Sequence, residues 1–123
     1  MQKITYSKEY MYNLYNGSED DIHFVLTEFS KEVVPLKEAL VNGYNHSDPQ
    51  VLIEILHKNY AGFAYAGFPQ ISNQIKLLVE SCKKIKKIAE IYRDFNMLLI
   101  ALDQCNEICT KQLKYFEHQQ NHV

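Results

Sequence analysis

Residues 48–69 read DPQVLIEILHKNYAGFAYAGFP, and this stretch is the most informative part of the chain. It begins with an N-cap residue, Asp48, followed by proline at the first helical position, and it closes on a Gly-Phe-Pro corner. Between these two signals the apolar residues recur at steps of three and four, which is the period of an amphipathic helix. The stretch therefore predicts a helix from residue 49 to Gly67.

The same period continues upstream. A short apolar element over residues 6–15 stops at Asn16-Gly17, and Ser18 then has the character of an N-cap residue. The next stripe passes through Pro35, which we expect to kink the helix without destroying its apolar face. Asn42-Gly43 is predicted to end this helix.

Downstream of the Gly-Phe-Pro corner, apolar residues at helical spacing run from Ile71 to Tyr92 and predict one long helix. Asp94 is predicted to cap a last helix whose stripe reaches Phe116. No stretch has the alternating pattern of a strand. One core is expected to contain residues from every long helix: Ile22, Phe29, Leu36, Leu52, Ile55, Ile75, Leu78, Leu102 and Cys109.

The pattern predicts an all-α protein, an antiparallel up-down four-helix bundle with a short additional N-terminal helix. A chain of 123 residues has the size of a single domain, here residues 1–123. Within it we expect the N-terminal helix at 6–15, the bundle at 18–118 and a frayed polar tail at 119–123.

Composition excludes several classes of function. The net charge of −2 and a pI near 6.2 give no basic field for nucleic acid. No apolar run approaches the roughly 18 residues of a membrane span, and the N-terminus lacks the apolar stretch of a signal peptide. Three cysteines, an odd number, suit a reducing compartment. The expected location is the cytoplasm.

Cys105 and Cys109 are four residues apart and would share one helix face, which leaves two interpretations. They are either a metal-binding pair or two buried members of the apolar stripe. A four-ligand zinc site needs two more ligands, and nothing nearby supplies them at a recognisable spacing. We therefore expect no metal.

His57 is the residue in the 48–69 stretch that suggests chemistry. Its helical neighbours include Glu54, Ala61 and Ala64, while the apolar stripe points elsewhere, so the ring should be reachable from solvent. Small residues one and two turns later leave room for a phosphoryl group to approach in line. Without such context a lone histidine on a helix is usually only a surface residue, and we interpret four others in that way: His23, His46, His118 and His122.

At this point the chain resembles the histidine-containing phosphotransfer (HPt) family. The signature of that family is a histidine in mid-helix, preceded nine residues earlier by an acidic helix cap and followed ten residues later by glycine. Asp48, His57 and Gly67 stand at these positions. The resemblance covers roughly residues 5–116.

Three positions depart from the family pattern. The family usually has leucine, lysine and glycine two, three and four positions after the histidine, where this chain has Asn59, Tyr60 and Ala61. Ala61 keeps the small size of the glycine. The missing lysine removes a cation that stabilises phosphate on the imidazole, and Lys58 or Lys76 is expected to replace it in part.

The resemblance implies a phosphorelay carrier in two-component signalling, without kinase or phosphatase activity of its own. His57 would exchange a phosphoryl group with a response-regulator receiver domain or a hybrid histidine kinase. The carrier needs no cofactor, because the receiver supplies Mg²⁺. Glu54, Phe63 and Phe68 are expected to contribute to partner docking, and the carrier is expected to be a monomer.

The alternative is a helical adaptor that docks onto a receiver or kinase domain and is never phosphorylated. Asn59 and Tyr60 favour the adaptor, whereas the retained His57 with its small neighbours favours the carrier.

Overall fold

The structure is a computed structural model that describes residues 3–120, with side chains described through residue 118. This part of the chain folds into α-helices joined by short connections, and no strand occurs in it. The elements in chain order are α1 (Lys8–Leu14), α2 (Glu19–Asn45), α3 (Pro49–Tyr65), α4 (Pro69–Lys84), a 3-10 turn (Ile88–Ile91) and α5 (Tyr92–Gln120).

Four long helices, α2 to α5, form the predicted bundle around one hydrophobic core. Helix α3 packs most extensively on α4, while α2 packs on both α5 and α3, and α4 also contacts α5. Eight of the nine predicted core residues are buried, and Ile55 is partly buried and packs against the core. The all-α fold predicted from helical periodicity is confirmed.

Three successive helices end with the same hydrogen-bond pattern. After α1, α2 and α3 the chain takes a positive φ at Asn16 (53°), Ser47 (54°) and Gly67 (98°), respectively. In α3 the amide N–H of Phe68 donates to the carbonyl of Phe63 at 2.7 Å, and that of Gly67 donates to Ala64 at 3.2 Å. This Schellman arrangement satisfies carbonyls at the helix end. It turns the chain sharply into the next helix.

Glycine at position 67 is required by space as well as by φ. A Cβ atom there would lie 2.9 Å from Cε2 of Tyr6 and 3.0 Å from Sδ of Met11. The burial of Tyr6 in this contact raises its pKa to about 12. Gly67 thus allows the N-terminal segment to pack against the end of α3.

Helix α1 is tied to the same end of α3. The Tyr10 hydroxyl donates to the carbonyl of Ala64 at 3.0 Å, and the Tyr15 hydroxyl donates to that of Tyr65 at 2.6 Å. The Tyr15 bond satisfies the carbonyl of Tyr65, and the Tyr10 bond adds a second donor to the carbonyl of Ala64, which already accepts from the Gly67 amide. The short N-terminal helix therefore closes one end of the α3–α4 pair.

The prediction that Asn42-Gly43 ends the second helix is wrong. Helix α2 passes through Pro35, as predicted, but it continues to Asn45, and Gly43 is a buried residue inside it. A Cβ atom on Gly43 would lie 3.2 Å from Cδ2 of Leu52. The glycine serves the close approach of α2 and α3 rather than a helix end.

The prediction of one helix from Ile71 to Tyr92 is also wrong. Helix α4 ends at Lys84, and the backbone is extended at Ile85. The Glu90 carboxylate accepts hydrogen bonds from the amide N–H groups of Lys86 (2.8 Å) and Lys87 (2.7 Å), and these bonds lower the pKa of Glu90. Because Glu90 captures both amides, they are not available to continue α4.

Two other predicted boundaries of the last helix are wrong as well. Asp94 lies inside the first turn of α5 and does not cap it, because the 3-10 turn leads directly into the helix. Helix α5 extends to Gln120, so residues 119–120 of the expected frayed tail are helical. Residues 121–123 lie outside the described part of the chain.

Cys105 and Cys109 are buried members of the apolar stripe. The Cys109 thiol donates to the carbonyl of Leu26 at 3.1 Å, and burial raises the pKa of Cys105 to about 12 and that of Cys109 to about 11. Among residues 3–120, no three His, Cys, Asp or Glu side chains cluster as metal ligands would. No helix in this range has the length and apolarity needed to span a membrane.

We predict that Leu52→Ala lowers the free energy of unfolding by about 2–5 kcal/mol, through lost burial and a residual cavity. The matched control is Leu77→Ala, since Leu52 is 0% exposed and Leu77 is 71% exposed. The control should change stability by no more than about 0.5 kcal/mol. Urea denaturation followed by circular dichroism measures the free energy of unfolding of both variants. Equal losses of stability would contradict the placement of Leu52 in the core.

Candidate functional site

His57 lies in the third turn of α3 with its side chain exposed to solvent. The buried residues Leu52 and Leu56 direct one face of α3 into the core, and His57 lies about 100° further around the helix than Leu56. Within residues 3–120 the imidazole makes no hydrogen bond, so both ring nitrogens are accessible to a partner. The predicted accessibility of His57 is confirmed.

The register between α3 and α4 is fixed one turn away from His57. The hydroxyl of the buried Ser72, in the first turn of α4, donates to the carbonyl of Tyr60 at 2.6 Å. His57 lies three residues before Tyr60, and Lys76 lies four residues after Ser72. Because the two helices are antiparallel, one helical turn in each direction brings His57 level with Lys76.

An open cavity of about 340 Å³ lies between α3 and α4 beside His57. Its floor is apolar, since Ile75 and Val79 are only 2% and 3% exposed. The lining residues are His57, Tyr60, Ile75, Lys76, Val79 and Glu80. The cavity thus places one imidazole, one ammonium group and one carboxylate around an apolar floor.

The Lys76 ammonium group lies over the ring of Tyr60, with Nζ 5.4 Å from the ring centroid. This distance is typical of a cation–π contact. In the described range, Lys76 forms no ion pair with a carboxylate. The nearby Glu80 is instead paired with Lys83 at 3.3 Å. The cation predicted to compensate for Tyr60 is therefore in contact with Tyr60 itself.

The other residues predicted to surround the phosphoryl group lie outside this cavity. Lys58 and Ala61 are exposed on α3 but do not line it, and Ala64 is partly buried under α1. Asn59 is occupied locally, since its side-chain amide donates to the carbonyl of Ile55 at 2.7 Å. Of the predicted set, the structure brings Tyr60 and Lys76 together with His57.

The prediction that Phe63 and Phe68 form a docking surface is wrong. Their side chains are 1% and 0% exposed, and both rings pack against Phe29 in the core. The helical wheel places Phe63 on the same face as Leu52 and Leu56, which explains its burial. Glu54 is exposed and remains available to a partner. Asp48 caps α3 as predicted, accepting from the Val51 amide at 3.2 Å.

The remaining histidines differ from His57 in their surroundings. His46 and His118 are exposed, as predicted. His23 is partly buried because its ring packs edge-on against Phe116, with centroids 5.4 Å apart. His122 lies outside the described residues. Neither His23, His46 nor His118 lines the cavity beside His57.

Sequence reasoning missed the part that Val79 and Glu80 play in the cavity. A signal was present, because they lie three and four residues after Lys76 and therefore share its helix face. Because Lys76 is level with His57, the residues one turn further along α4, Val79 and Glu80, also lie beside α3.

Comparison with solved structures identifies the fold. The HPt domain of a sensor hybrid histidine kinase from Shewanella superposes with a TM-score of 0.80 at 13% identity, over 89% of this chain and 94% of that one. Histidine-containing phosphotransfer protein B from Pseudomonas aeruginosa PAO1 gives a TM-score of 0.68 at 18% identity, over 96% of each chain. No family model and no curated protein matches the sequence. The chain has the fold of histidine-containing phosphotransfer domains.

Proposed function

We propose that this protein is a phosphorelay carrier that accepts and donates a phosphoryl group on His57 in exchange with response-regulator receiver domains. The observation that carries the proposal is an exposed histidine in the middle of α3, beside an ammonium group, on the fold of HPt domains. A histidine with a purely structural role would have hydrogen-bond partners or close packing. His57 has no hydrogen bond within residues 3–120.

The proposed reaction is a reversible displacement at phosphorus. A ring nitrogen of His57, which we take as Nε2, attacks the phospho-aspartate of a receiver. The bond from phosphorus to the aspartate oxygen breaks, the aspartate leaves as a carboxylate, and the imidazole proton passes to solvent. The receiver supplies Mg²⁺ for the developing charge, so the carrier contributes an accessible nucleophile and no metal.

Lys76 supplies positive charge in the cavity beside His57. It lines the cavity beside His57, whereas Lys58 does not. A phosphoryl group on His57 carries negative charge, and an ammonium group in the same cavity stabilises it. This is the role that the HPt resemblance gives to a lysine at position 60, where this chain has tyrosine.

The partners follow from the same proposal. The carrier exchanges phosphoryl groups with receiver domains, including those of hybrid histidine kinases, and has no kinase or phosphatase activity of its own. Glu54 lies one turn before His57 on the exposed face and belongs to the docking surface. We place the carrier in the cytoplasm as a monomer that binds neither nucleic acid nor membrane.

We predict that His57→Gln abolishes uptake of label from phosphorylated receiver domains, because glutamine has no nucleophilic ring nitrogen. Binding of the receiver should change little, since a polar side chain of similar volume remains. His46→Gln is the matched control and should keep full uptake. The label on wild type should be acid-labile and relatively base-stable. If the wild-type protein binds receivers but is never labelled by them, the adaptor hypothesis is correct and the carrier hypothesis is wrong.

We also predict that Lys76→Gln slows phosphoryl transfer or shortens the lifetime of phospho-His57 by roughly two- to fivefold, as expected for an exposed charge pair. Lys58→Gln should change either quantity much less. Rapid-quench kinetics with a phosphorylated receiver measures the transfer rate. A larger effect of Lys58→Gln than of Lys76→Gln would show that Lys58, and not Lys76, has the electrostatic role.

A further inference from the structure

Tyr60 lines the same cavity as His57 and Lys76, and its ring lies under the Lys76 ammonium group. We propose that Tyr60 is a positioning residue, whose ring holds the Lys76 ammonium group beside His57 so that the pair stabilises a phosphoryl group there. The inference rests on the proposed function of His57. The proposed function itself requires only His57 and a nearby cation, and Tyr60 has a further role in holding that cation.

The Tyr60 ring is itself held in place. Its side chain is partly buried and packs against the hydrophobic core, and its carbonyl accepts the hydrogen bond from the Ser72 hydroxyl. The hydrogen bond joins α3 to α4, the helix that carries Lys76. The ring is therefore a fixed surface, whereas a lysine side chain in solvent has many rotamers of similar energy.

Among the described side chains, no carboxylate pairs with Lys76. The carboxylate that lines the same cavity belongs to Glu80, and Lys83 pairs with it at 3.3 Å. An exposed cation–π contact favours the held position of an ammonium group by a factor of roughly two to five. The contact between Lys76 and Tyr60 therefore raises the fraction of molecules in which positive charge lies beside His57.

A consequence separates this role from a merely structural one. The ring carries no charge, so its effect on phospho-His57 must pass through Lys76. Loss of the ring should then matter only while Lys76 is present. Two independent contributions would instead multiply their effects on the lifetime of the phosphoryl group.

The experiment phosphorylates the 123-residue chain chemically with phosphoramidate, so no receiver is needed. A ring nitrogen bonds to phosphorus, the P–N bond of phosphoramidate breaks, and ammonia leaves with the proton that the imidazole gives up. Phosphoramidate also modifies other exposed histidines, and phospho-His46 serves as an internal control in the same sample. After the reagent is removed, site-resolved mass spectrometry follows the loss of phosphate from each position.

Tyr60→Leu should shorten the lifetime of phospho-His57 by roughly two- to fivefold, and Lys76→Gln should do the same. The double variant should be no shorter-lived than Lys76→Gln alone. Tyr60→Phe keeps the ring and should restore the wild-type lifetime. The lifetime of phospho-His46 should stay constant in every variant.

Three results would overturn the proposal. The first is a double variant in which the two effects on the lifetime of phospho-His57 multiply. The second is a lifetime in Tyr60→Phe as short as that in Tyr60→Leu, which would assign the effect to the hydroxyl. The third is measured on the unmodified wild type by NMR and does not depend on any variant folding. The ε-methylene protons of Lys76 should show an upfield ring-current shift relative to those of Lys58, and its absence contradicts the contact.

The experiments distinguish a failure of the proposed carrier function from a failure of the role proposed for Tyr60. If receivers never label His57 but the phosphoramidate results hold, Tyr60 positions Lys76 on a protein that is not a carrier. If receivers label His57 and Tyr60→Leu has no effect on its lifetime, the carrier stands and the role of Tyr60 does not.

Discussion

The hydrogen bond from the Ser72 hydroxyl to the carbonyl of Tyr60 fixes the relation between α3 and α4, and the candidate site depends on that relation. Both groups lie close to the corner at Gly67, where the Schellman end of α3 reverses the chain. A slip of one residue along either helix would rotate the facing side chains by about 100°. His57 and Lys76 would then no longer share one cavity.

The N-terminal segment supports the same corner from outside. The hydroxyls of Tyr10, in α1, and of Tyr15, directly after it, donate to carbonyls in the last turn of α3, and Tyr6 packs where Gly67 has no side chain. The N-terminal segment therefore has a structural purpose at the end of the α3–α4 pair, where the carbonyl of Tyr65 would otherwise lack a partner. Tertiary contacts at this corner and the hydrogen bond at Ser72 together hold the two helices that frame His57.

Much of this arrangement is readable from sequence because helical periodicity reports burial directly. The capped start of α3 at Asp48 and the accessibility of His57 follow from local spacing, whereas the predicted end at Gly67 is wrong by two residues, since α3 ends at Tyr65. The errors at the ends of the second and fourth helices have a common cause, since Gly43 and Glu90 act through contacts that spacing does not record. Gly43 has no side chain and so allows Leu52 of α3 to approach closely. Glu90 accepts hydrogen bonds from two backbone amides that a continuous helix would donate to its own carbonyls. The contact of Lys76 with Tyr60 likewise depends on side-chain geometry between helices.

The central claim is that His57 carries phosphate between proteins, and mapping the phosphate after exchange with a receiver tests it most directly. The protein is mixed with a phosphorylated receiver domain, digested under neutral conditions and analysed by mass spectrometry. The account predicts phosphate on His57 alone, and its return to the receiver when excess unphosphorylated receiver is added. Phosphate on a different histidine, or none on a protein that nonetheless binds the receiver, contradicts the account.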